Sequence, residues 1–200
     1  MYSLEDGKFA VRTARRFVEA DVSGREFNAD DVPEIFHKKS GVFVTINSHP
    51  KHNLRGCIGY IEPIFTLIEG LQRASRSAAT EDPRFPSVRE EELDNVVIEV
   101  SLLTPPELIK VKKPKHYVKE VEIGKDGLIV ERGYRKGLLL PQVPVEWKWK
   151  VDEFLSHTCV KAGLLPDAWL EEGTKIYKFS AEIFSEVEPH GEIVEKKLKE

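Results

Sequence analysis

With 200 residues, 40% of them apolar and 32% charged, the chain has a soluble globular composition and enough apolar material for one large core or two small ones. Its formal net charge of -4 argues against broad, non-specific nucleic-acid binding, and no run approaches the roughly 18 consecutive apolar residues of a membrane span. The two cysteines, Cys57 and Cys159, match no disulfide framework or zinc ribbon, and the acidic start (Glu5, Asp6) does not resemble a signal peptide, so the expected compartment is a reducing cytoplasm.

Abundant Lys and Glu beside one Met and two Cys suggest a heat-adapted composition. The first predicted element is a helix from about Leu4 to Glu19, capped by Ser3 with Asp6, with Ala10, Ala14, Phe17 and Val18 on one face. After an irregular stretch to Lys39, residues 41–46 read as a buried strand. His49-Pro50 makes a turn, and Leu54 to Ile61 returns as an antiparallel partner. Pro63 is placed for the first turn of a helix ending near Thr80. The stiff loop Asp82-Pro83-Arg84-Phe85-Pro86 follows, then a short turn capped by Ser87 with Glu90.

Val96 to Leu103 reads as a strand with Val96, Ile98, Val100 and Leu102 on one face and Glu99 and Ser101 on the other. The basic segment Lys110 to Lys119 reads as a solvated connection. Strands are expected at Tyr117–Ile123, Leu128–Glu131 and Leu138–Pro141. A helix from about Val151 to Ala162 carries Leu155 and Cys159 inward and ends at Gly163. The last strand spans Thr174 to Glu186, and the charged tail after Pro189 is expected to fray. Helices and strands mix without a βαβ repeat, which favours α+β.

The residues with most chemical content are Leu54-Arg55-Gly56-Cys57-Ile58-Gly59. Alternation on a strand puts Arg55 and Cys57 on one side, where a guanidinium would favour the thiolate. Gly56 and Gly59 leave gaps for a ligand or for another backbone segment. Against this stands the simpler reading of Cys57 as a small packed thiol, with no base evident to activate it. Asp82 and Arg84 sit on a stiff loop, a good mount for an acid and a guanidinium. Glu99 is either a solvent-facing strand residue or, if its face lines a cleft, an acid, a base or a partner for Arg55 or Arg84. His49 and His52 could join Cys57 around a metal, but the spacing fits no zinc pattern and no metal is assigned. No phosphate loop, dinucleotide fingerprint or nucleophile elbow is present, and no cofactor is assigned.

These blocks resemble the AMMECR domain family, whose signature is Leu54-Arg55-Gly56-Cys57-Ile58-Gly59. The similarity continues through residues 41–45, 82–86, Glu99-Val100-Ser101, 103–106, 137–142 and Phe154-Leu155 to Lys161-Ala162-Gly163-Leu164, in order along nearly the whole chain. The resemblance implies an α+β fold of two subdomains, the smaller inserted in the larger, with a cleft between them. Together with the proline loop and the Gly133 turn, it puts the larger at about 1–81 plus 132–190, the smaller at about 82–131 and a charged tail at 190–200. It also implies an association with Memo-like and radical-SAM proteins in some microbes. It carries no established reaction.

Two readings of function follow. In the first, a cleft lined by the signature binds a small polar or anionic ligand, with Arg55, Gly56, Gly59, Asp82 and Arg84 as contacts. Cys57 is then the candidate nucleophile or redox thiol, with Arg55 and Glu99 beside it. In the second, the chain is a non-catalytic module that docks a protein partner and Cys57 is inert. RNA contact through Lys110 to Lys119 is the minority alternative, and no membrane is expected.

Overall fold

The computed structural model describes residues 2–196, which divide into two compact units, 2–103 with 182–196 and Thr104–Ala181. Helices mix with strands that pair antiparallel throughout the described ladders, an α+β fold.

The first unit opens with α1 (Leu4–Val22), whose start is fixed by a reciprocal Ser3–Asp6 capping box. Strands β1 (Val42–Ser48) and β2 (Leu54–Tyr60) form a hairpin, and β3 (Val96–Leu103) pairs with the other side of β1. Val42, Val44, Ile46, Ile98, Val100 and Leu102 share one sheet face and are fully buried with Ala10, Ala14 and Val18 of α1. Burying each of the larger side chains stabilises the unit by about 1.5–3 kcal/mol.

Helix α2 (Leu67–Arg76) starts four residues later than Pro63 suggests, because Thr66 and Glu69 form their own capping box. It also ends before Thr80, passing into a π-helical turn at Ser77–Glu81. The turn expected at Ser87 is displaced to a 3₁₀ helix at Glu90–Asn95.

In the second unit, β4 (Glu107–Leu108) pairs with a later strand, and the expected strand at Tyr117–Ile123 is absent. Pro114 opens a 3₁₀ helix to Lys119, and the Asp126 carboxylate then accepts from the Glu122 backbone N–H, bending the chain instead of extending it. Strand β5 (Asp126–Arg132) therefore pairs with β6 (Arg135–Leu139) and with β7 (Lys175–Glu186). Between them lie the short α3 (Gln142–Glu146) and α4 (Val151–Lys161). From α4, Phe154, Leu155 and Cys159 join Leu128, Val130 and Ile176 in the unit's core.

From Glu182 onward β7 belongs to the first unit, where β8 (Ile193–Lys196) pairs with it. The expected fraying after Pro189 is thus not seen at β8, where Ile193 alternates inward and is buried in the first core. Leu198, further along the tail, lies outside the described residues.

The division also falls elsewhere than at 82 and 131. Strand β3 pairs with β1 along its length and stays in the first unit. In the second unit the Ala162 backbone packs so closely on Gly137 that a Cβ there would lie 2.2 Å from its nitrogen, which keeps β6 with the end of α4.

Candidate functional site

The signature occupies β2, an edge strand held by β1 alone among the described strands. Thr45 lies opposite Cys57 on one side and opposite Glu99 on the other, so Cys57, Thr45 and Glu99 form a row across three strands, on the face away from the apolar core. The Thr45 hydroxyl donates to Cys57 Sγ at 3.2 Å, and Lys196 Nζ donates to Glu99 Oε2 at 2.7 Å. Glu99 is therefore paired with Lys196, not with Arg55 or Arg84.

The outward edge of β2 at Cys57 is occupied by two side chains. The Cys57 N–H donates to Asp82 Oδ2 at 2.9 Å, and its carbonyl accepts from Arg84 Nη2 at 3.1 Å. Arg84 is clamped in turn, its Nε and Nη2 donating to the two Asp82 oxygens at 2.9 and 2.8 Å, while its backbone N–H donates to Oδ1 at 3.1 Å. The Asp82 side chain is 2% exposed and that of Arg84 54% exposed. Arg84's hydrogen bonds hold the Asp82 carboxyl well below the usual carboxylate range, and Asp82 raises the Arg84 guanidinium in return. Pro83 helps to set this geometry, since it stiffens the two-residue step from Asp82 to Arg84.

Arg55 does not serve the thiol. Its Nε and Nη2 donate to Glu92 at 2.8 and 3.1 Å, and Nη1 and Nη2 donate to the carbonyls of Pro86 and Ser87 at 2.7 and 3.1 Å. Those contacts lower Glu92 and tie the segment after the proline loop to β2. The expectation of an Arg55-activated thiolate is reversed: burial pushes the Cys57 thiol up. The Thr45 hydrogen bond and the charge of Arg84 oppose that shift, while Glu99 and Asp82 add to it.

Of the two occupants expected for the glycine gaps, protein rather than a ligand fills them. A Cβ at Gly56 would lie 2.1 Å from the carbonyl oxygen of Ala78 in the π-helical turn, and one at Gly59 2.3 Å from the Phe43 ring. Both are close-approach glycines that let β2 seat against its neighbours.

Thr45 and Glu92 complete the arrangement and were not expected from sequence. Thr45 was within reach of a register argument, since pairing the two hairpin strands sets it opposite Cys57; nothing distinguishes Glu92 from Glu90 and Glu91. Among the described residues no group of three or more His, Cys, Asp and Glu side chains is placed to hold a metal, and His49 and His52 meet only ring to ring, 6.1 Å apart. Cys159 is fully buried in the second unit, where burial pushes its thiol up to about 11. No helix among the described residues is long and apolar enough to cross a membrane.

Comparison with known proteins agrees with this architecture. The chain is 57% identical over 198 residues to Protein MJ0810 of Methanocaldococcus jannaschii, covering 99% of this chain and 98% of that one. It is 51% identical over 205 residues to a protein of Thermococcus onnurineus, covering 99% and 100%. The crystal structure of the uncharacterized protein PH0010 from Pyrococcus horikoshii superposes with a TM-score of 0.83 at 52% identity, over 96% of this chain and 97% of that one. The AMMECR1 sequence family matches residues 11–184, a span that holds β2 and the Asp82–Arg84 clamp on its edge, and the chain belongs to that family.

Proposed function

We propose that the sheet face carrying Cys57, Thr45 and Glu99, edged by Arg84, binds a small polar or anionic ligand. The observation that carries this reading is the state of Arg84. A buried carboxylate and a backbone carbonyl fix its guanidinium, yet among the described residues no protein group accepts from Nη1, on a side chain that is half exposed. A guanidinium immobilised before the ligand arrives loses little freedom on binding, and one donor-bearing nitrogen remains to meet an oxyanion. Cys57 then acts as a neutral thiol in contact with the ligand, because burial keeps it protonated at neutral pH. Arg55, Gly56, Gly59 and Asp82 act by holding β2 and Arg84 in position. Two unpaired cysteines suit a reducing compartment, so the cytoplasm is the proposed setting.

Alkylation of Cys57 by iodoacetamide tests the reading. The rate should climb only above the roughly 8.5 of a free cysteine. Inorganic phosphate or malonate at millimolar concentration should protect the thiol, and Arg84→Gln should remove the protection. If neither anion protects, or if protection survives in Arg84→Gln, the binding assignment fails.

A further inference from the structure

Six arginines of the first unit fall into two groups. Arg15, Arg55 and Arg84 are each hydrogen-bonded to both oxygens of a carboxylate and to at least one backbone carbonyl. Arg25, Arg73 and Arg76 are not. Arg25 makes a long contact of 3.3 Å to the Ser23 hydroxyl, and Arg73 lies over the Phe65 ring at 4.5 Å. Arg76 sits between Asp21 and Glu81 with its Nε 3.5 Å from each, too far for good hydrogen bonds. All three line one cavity of about 710 Å³, with the C-terminal turn of α1 on one side and α2 on the other.

The sheet separates this cavity from the Cys57 row. Tyr60, which lines it, alternates with Cys57 along β2 and shares its side with Gly56, against the α2 side of the sheet. The remaining wall is the segment after α1. Its Phe27 is pinned against Phe17 at 5.1 Å and covered by the Arg16 guanidinium at 4.0 Å. Tyr60 is held edge-on to Phe65 at 5.1 Å. Two fixed aromatic rings thus border the space, and the amides of Asn28 and Gln72 add paired donors and acceptors.

The carboxylates decide where charge can be received. Asp21 and Glu81 flank Arg76 and offset it, and Glu26 is exposed on the segment after α1. Glu69, one turn before Arg73 on α2, feels its charge, but neither Arg25 nor Arg73 has a carboxylate within ion-pair distance among the described residues, so they form the positive end. A ligand that uses every part of this lining has a planar ring for the aromatic walls, polar ring edges for the amides and an oxyanion for Arg25 and Arg73. We propose that the cavity is a second binding site, for a nucleoside monophosphate: a heteroaromatic base between Phe27 and Tyr60, with its phosphate on Arg25 and Arg73. Its volume lies within the range of small-molecule pockets, about 300–1,000 Å³.

Calorimetric titration with AMP, GMP, CMP, UMP, ribose 5-phosphate and adenosine separates the parts. At least one nucleotide should bind about tenfold or more tightly than ribose 5-phosphate, and likewise more tightly than adenosine. Arg25→Gln and Arg73→Gln change exposed side chains and should leave thermal unfolding unchanged while weakening that nucleotide about tenfold each. Arg89→Gln, an exposed arginine of the same unit outside the cavity, should leave the affinity unchanged. The proposal is overturned if no nucleotide exceeds ribose 5-phosphate, if Arg73→Gln binds like the native chain, or if Arg89→Gln weakens binding as much as Arg73→Gln.

Discussion

Replacing Asp82 with alanine removes the acceptor for four hydrogen bonds, one from the Cys57 N–H and three from Arg84. Leaving a buried N–H without a partner costs about 1–3 kcal/mol, and a charge-assisted bond contributes about 1.5–3 kcal/mol before solvent is considered. Arg84 is half exposed and regains water when its partner goes, so its share is discounted, and the expected total is about 3 kcal/mol. Asp82→Asn should cost less, about 2 kcal/mol, because one amide oxygen can still accept from Cys57 while its NH₂ opposes the guanidinium. The pH dependence follows from the depressed carboxyl. With a folded pKa below the unfolded value of about 3.9, the Asp82 contribution is complete above that value and is lost as pH falls through the folded pKa. Urea unfolding of the native chain and of both variants, at neutral pH and at successively lower pH, measures this directly. The gap between native and Asp82→Ala should hold through the neutral range and narrow on acidification. A gap under about 0.5 kcal/mol at neutral pH, within the range of ordinary surface substitutions, would refute the clamp.

Gly56→Ala and Gly59→Ala should each destabilise the first unit, since the added methyl meets the Ala78 carbonyl oxygen at 2.1 Å in one case and the Phe43 ring at 2.3 Å and the Val42 carbonyl oxygen at 2.5 Å in the other; a urea midpoint equal to that of the native chain for either variant would contradict the close packing. Glu99→Gln should speed alkylation of Cys57 at a given alkaline pH, because it removes a negative charge that raises the thiol; an unchanged rate–pH curve would contradict that influence. Truncation after Pro189 should lower the thermal midpoint, because it removes the β8 ladder and the buried Ile193; a midpoint equal to that of the full chain would show β8 to be dispensable.

Elements announced by local signals were legible in the sequence. Strand β3 follows from alternation, and α1 from its capping box and apolar face. The end of α4 follows from Gly163, which adopts φ +72°. What escaped was set by tertiary context. Tyr117 to Ile123 has strand-like residues but is diverted by Pro114 and by the Asp126 side chain, and Ile193 looks isolated until β7 offers it a partner. The site divided in the same way. Cys57, Arg55, Asp82 and Arg84 were identifiable as a group, but strand alternation could not say which arginine reaches the thiol. That depended on Glu92 and on two loop carbonyls, which claim Arg55 from a distance in sequence that no periodicity reports.

The three residues Asp82-Pro83-Arg84 have a consequence for how copies of this chain meet. An edge strand's open amides and carbonyls form a template on which another chain can grow a sheet, and proteins escape such polymerisation only by obstructing it. Here the obstruction is chemical: a carboxylate takes the amide, a guanidinium takes the carbonyl, and the Cys57 position can accept no further strand. A residue that weakens this clasp would therefore do more than loosen one loop. It would uncover a stretch of apolar and glycine residues able to recruit its own kind, so concentration-dependent aggregation is the failure to expect when either member of the pair is lost.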